Sequence, residues 1–89
     1  MKSYIISYDL HSPGRDYSSL IPAIKELGNW CHAFESFWVI QTGKTAVEVR
    51  DVLISHIDSN DQLLVISSGG EGAWRNLSAD VSSWLNKNL

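Results

Sequence analysis

Eighty-nine residues with a 44% apolar share and four Trp hold material for one modest core and no more. The net charge is −3, and no two of the seven basic residues (Lys2, Arg15, Lys25, Lys44, Arg50, Arg75, Lys87) are adjacent, which argues against a tight, nonspecific duplex binder with a basic stripe. No apolar run approaches the ~18 residues of a membrane span, and the N-terminus has one Lys before a short apolar strand instead of a leader with a cleavage site, so a cytoplasmic chain with no membrane partner is expected.

Residues 3–8 read as a first strand, because Tyr4, Ile5, Ile6 and Tyr8 form a β-branched and aromatic run. The strand ends on Asp9. A loop follows, marked by Pro13-Gly14 as a turn. A helix is predicted over 17–27, capped by Asp16 or Ser18, with Pro22 near its first turn, where a missing N–H costs least. Leu20, Ile21, Ile24 and Leu27 recur at helical spacing, and Gly28 serves as the stop.

The next apolar block divides at Glu35-Ser36 into strands over 30–34 and 37–42, or forms one bent strand with a bulge. Thr45 and Glu48 have capping-box spacing, so a second helix runs to about Ile57, with Val49, Val52, Leu53 and Ile57 facing the core. Asp58-Ser59-Asn60-Asp61 is a turn. Leu63-Leu64-Val65-Ile66 reads as a short, fully buried strand. Ser67 to Gly72 is a flexible loop, and 77–89 a last amphipathic helix with Ser78 as cap and Val81, Trp84 and Leu85 on one face.

This β-α-β-β-α-β order with an extra C-terminal helix predicts an α+β, ferredoxin-like sandwich on an antiparallel sheet. The whole of 1–89 is expected to form a single domain, with the helix over about 77–89 as an appendage. Both main helices would cover one face and leave the other to a partner, a ligand or nucleic acid. A chain this short buries only about two-thirds or less of its unfolded surface, which favours a homodimer.

The residues with chemistry are few. Asp9 ends a rigid strand and is either an ordinary turn acid or a metal ligand. Magnesium takes about six oxygen ligands, so two Asp9 carboxylates facing each other across a dimer axis would serve better than one. His11 and Arg15 share the following loop: His11 is either a general acid or base or a locally bonded side chain, and Arg15 either a phosphate ligand or a solvated one. Ser36 is a turn hydroxyl, or a polar group beside Asp9 if the first and third strands pair. His32 and His56 match no metal spacing and read as structural. The Gly69-Gly70-Glu71-Gly72 loop lacks a phosphate-loop ending. Trp30, Trp38, Trp74 and Trp84 are either core residues or base-stacking platforms, with Trp74 the most exposed. Cys31 is the only cysteine and reads as a small core residue.

The run Tyr4-Ile5-Ile6-Ser7-Tyr8-Asp9-Leu10, the basic residue in the loop, the helix end Leu27-Gly28, and Phe34-Glu35-Ser36-Phe37-Trp38-Val39-Ile40 resemble the small CRISPR-associated Cas-two family and its relatives, the virulence-associated protein D toxins. The resemblance spans about residues 3–66. It implies a ferredoxin-like homodimer in which Asp9 is the metal-site acid, Arg15 the basic residue after the first strand, and Ser36 and Phe37 the Ser-hydrophobic step. It further implies a magnesium-dependent endonuclease acting on RNA or DNA phosphodiesters, with Arg15, His11, Ser36 and Phe37 contacting nucleic acid. A non-catalytic dimeric adaptor that binds nucleic acid or protein, and a toxin-type ribonuclease of a toxin–antitoxin pair, are the alternatives. The chain departs from the family at Ser12-Pro13-Gly14-Arg15-Asp16, where a strongly basic loop is usual, and after residue 66, where it carries a Gly-rich loop and a Trp-bearing helix.

Overall fold

The computed structural model describes residues 1–12 and 14–89; the Pro13 half of the Pro13-Gly14 turn lies outside the described residues. The elements are β1 (Lys2–Asp9), α1 (Leu20–Glu26), β2 (Asn29–Phe34), β3 (Phe37–Thr42), α2 (Ala46–Ile54), β4 (Gln62–Ser67) and α3 (Ala79–Asn88). The strands form one antiparallel sheet in the order β2-β3-β1-β4. The chain is thus α+β, with its first strand in the sheet interior.

Alternation sorts the strand residues onto two faces. Tyr4, Ile6, Trp38 and Ile40 point one way and pack with Leu20, Ala23, Ile24 and Leu27 of the α1 segment and with Val49, Leu53 and Ile57 of the α2 segment. Cys31, Val39 and Ile5 point the other way. There the expectation of an uncovered face needs correction: α3 lies across β2 and β3, with Leu85 buried against Cys31 and Val39. Asn29 accepts from the Trp84 indole at 3.1 Å, and Gln41 Nε2 donates to the Asn88 carbonyl at 3.0 Å. Only the β1–β4 half of that face stays open.

Several boundaries shift for local reasons. α1 begins at Leu20, three residues late, because Asp16 accepts from the Ser18 N–H at 2.9 Å and Tyr17 closes a turn onto the Leu20 N–H. Ser19 takes the cap position without a side-chain bond. Gly28 does end the helix, but packing is the reason: a Cβ there would overlap the Gln41 carbonyl of β3. The Thr45–Glu48 capping box forms in both directions, at 3.2 and 2.9 Å. α2 then stops at Ile54, since the His56 and Ile57 N–H groups bond three residues back and tighten the last turn. Ile57 remains core, whereas Val52 faces solvent. β4 is not buried: it is an edge strand, and Leu64 and Ile66 are 55% and 49% exposed. Trp74 is half-buried, donating to Ser82 Oγ at 2.9 Å, so it is less exposed than Trp30.

Candidate functional site

β1 carries Asp9 to the end of the sheet, where it pairs with Gln62 of the edge strand. Its carboxylate is 69% exposed, and His11 Nε2 lies 3.4 Å from Asp9 Oδ2. On the other side of β1 the Tyr8 N–H donates to the Ser36 carbonyl at 3.3 Å, which places the β2–β3 turn beside the strand end. Tyr8, Asp9, Leu10, Ile21, Glu35 and Ser36 line one open cavity of about 310 Å³. The structure therefore brings Asp9, His11 and Ser36 to one place, as β1–β3 pairing requires.

Arg15 and Phe37 go elsewhere. Arg15 Nη1 sits 4.0 Å from Asp58 Oδ1 and its guanidinium lies over the Tyr17 ring. Phe37 stacks edge-on against Phe34, with ring centres 5.6 Å apart, and packs toward α3. Arg15 and Phe37, which the resemblance assigns to nucleic-acid contact, are thus both engaged with the protein itself.

Sequence reasoning missed what holds the loop. The Asp58–Asp61 turn reads as a simple turn, yet its side chains hold His11, Ser12 and Tyr17. Asp61 accepts from the His11 N–H at 2.6 Å, the Tyr17 hydroxyl at 2.7 Å and the Asp58 N–H at 2.7 Å. Ser12 Oγ donates to Asp58 Oδ2 at 2.6 Å. Desolvation opposes ionisation of Asp61, but these donors outweigh it and hold the carboxyl below its ordinary 3.8. The Tyr17 hydroxyl is pushed up, first by burial and then by its bond to Asp61. The available signal was a run of turn acids and amides at 58–61 opposite a loop with a free hydroxyl and free amides.

The histidines outside the loop have local bonds. His32 stacks on Trp38 with ring centres 3.8 Å apart and contacts the Glu35 carbonyl at 3.0 Å. His56 Nδ1 meets Ser19 Oγ at 2.9 Å. Cys31 is buried, and burial pushes its thiol pKa up.

As a metal centre, the donor set of this chain is poor. One exposed carboxylate beside an imidazole is a mixed oxygen–nitrogen pair, whereas magnesium prefers oxygen ligands in near-octahedral array. The residues that one copy of the chain brings together here therefore do not fit magnesium. No family model matches this chain, and no solved structure matches it.

Proposed function

We propose that this chain is a Cas-two-like, ferredoxin-like homodimeric module that works as a non-catalytic adaptor, binding a protein through the open half of its sheet. The element order and the antiparallel strand order β2-β3-β1-β4 support the ferredoxin-like reading. The observation that carries the adaptor reading is apolar exposure. Leu64, Ile66 and Phe34 are exposed; Ile66 pairs with the half-buried Ile5, which together with Phe34 and Phe37 lines a groove of about 300 Å³ that continues to Trp74 and Leu85. Contiguous apolar surface of this kind suits a protein partner better than a polyanion. The engagement of Arg15 with Asp58 and the net charge of −3 point the same way.

A second reading, a magnesium-dependent endonuclease of RNA or DNA, is favoured by the exposed Asp9 carboxylate beside Ser36. Because one protomer does not fit magnesium, this reading needs ligands from a second copy. Labelled single- and double-stranded RNA and DNA, incubated with magnesium, manganese or EDTA, separate the two. The adaptor reading expects intact substrate with folded, dimeric protein. Metal-dependent cutting that disappears in Asp9→Ala would install the nuclease instead. A toxin-type ribonuclease would also arrest growth on expression.

A further inference from the structure

The two edges of the sheet are built differently. β2 has a register shift between His32 and Phe34, and its first residue, Asn29, is bonded by Trp84 and Asn88 of α3. Bulges and covering helices are common ways of blocking an edge from further pairing. β4 pairs with β1 at six successive positions without a shift, and its sequence, Gln62-Leu63-Leu64-Val65-Ile66-Ser67, has no charge and no Pro.

The hydrogen-bond phase of this edge follows from one bond. The Ser68 N–H donates to the Ser3 carbonyl at 2.8 Å, which makes Ser3–Ser68 a closely bonded pair. In the register Ile5↔Ile66, Ser7↔Leu64 and Asp9↔Gln62, the backbone groups of Gln62, Leu64 and Ile66 then face β1. Those of Leu63, Val65 and Ser67 face outward, away from the sheet.

We infer that this outward edge of β4 pairs antiparallel with β4 of a second copy, about a two-fold axis at Val65, to give one continuous eight-stranded sheet. The inference rests on the homodimer reading above and names its seam. With the axis at Val65, Val65 meets the partner's Val65, Leu63 the partner's Ser67, and Leu64 the partner's Ile66. The half-exposed Leu64 and Ile66 thereby become cross-strand neighbours on one face. Charge fits the same register: Asp61 falls opposite the partner's Gly69, so the acidic end of each strand meets the neutral Ser68-Gly69-Gly70 end of the other. A parallel arrangement would instead set like acids side by side. The apolar strip of Ile5, Leu64 and Ile66 doubles in length across the seam.

One consequence separates this dimer from a shared metal site. Each Asp9 lies three residues along the strand and one strand over from the axis, so the two carboxylates stand about 25 Å apart. They cannot bind one ion together.

The test is molar mass by light scattering, with circular dichroism to confirm folding. Wild type is expected at about twice the 10.0 kDa chain mass. Ser67→Pro removes an outward N–H at an exposed position, where an edge strand accepts proline, and is expected to give a folded monomer. Leu64→Lys is also expected to give a folded monomer. Adding Ile66→Glu to Leu64→Lys is expected to restore the dimer, because only this register sets the new lysine against the partner's new glutamate. Folded variants that all stay dimeric would overturn the seam and leave the homodimer standing. A wild-type monomer at micromolar concentration would overturn both.

Discussion

On the α1/α2 face, Ile6, Trp38 and Ile40 are fully buried, while on the opposite face Leu64 and Ile66 stay about half exposed on an adjoining strand. The composition of the strands does not explain this difference, since β4 is as apolar as β3. Geometry does. A helix with its side chains is about 10–12 Å wide, and strands are spaced about 4.8 Å apart, so one helix covers roughly two strands. Two helices close the first face; α3 alone closes the β2–β3 half of the second. An apolar strand is a core strand only where the helix count suffices.

The largest loss of stability is expected at Trp38. Trp38→Ala removes a fully buried ring, its stack on His32 and its indole bond to the Tyr8 hydroxyl. A loss of about 3–5 kcal/mol in denaturant unfolding is expected. A loss below 1 kcal/mol would show that the closed face is not the main core.

Leu85→Ala tests the half-closed face, where a loss of about 2–3 kcal/mol is expected. Its distinguishing sign is regional: α3 amides should exchange with deuterium faster while α1 amides keep their protection. Uniform loss of protection would mean that the two faces fold as one inseparable unit.

Acid weakens the loop clamp through Asp61. Because the folded-state pKa of Asp61 lies below its ordinary value, its contribution is fully present above the unfolded value near 3.8 and is lost as pH falls through the folded one. Wild type should therefore exceed Asp61→Asn in denaturant midpoint at pH 7, and the gap should narrow below pH 4. A gap independent of pH would assign the effect to packing instead of the carboxylate's bonds.

The smallest change is expected at Ile66→Thr on the open half. Folding stability of the isolated chain should move by no more than about 0.5 kcal/mol, and the near-wild-type midpoint is the check. A larger loss would mean that Ile66 is covered, by the chain itself if the midpoint is independent of protein concentration and by a second copy if it rises with concentration.

Much of the architecture is legible in the sequence because it is local. The Thr45–Glu48 box, the Ser78 cap and the Glu35-Ser36 turn use neighbours only, and all three form. What is not legible depends on residues distant in the chain. Tyr17 belongs to a turn and not to α1 partly because Asp61 holds its hydroxyl, 44 positions away. Leu64 and Ile66 look like core until the sheet order puts β4 at an edge. At the candidate site, the meeting of Asp9 with Ser36 followed from strand pairing. The diversion of Arg15 to Asp58 had no signal, because a loop arginine reaches several acids and the fold selects among them.

The position of β1 has a consequence for synthesis. β1 occupies the interior of the sheet and is made before both of its partners, which end at Thr42 and Ser67. Tyr4, Ile6 and Tyr8 therefore leave the ribosome with nothing to pair with, and the second partner arrives only once Gln62–Ser67 has been made. Folding must wait for these sequence-distant contacts, which slows it and lengthens the time an apolar strand is open to capture. Until Gln62–Ser67 is made, one edge of β1 stays unpaired.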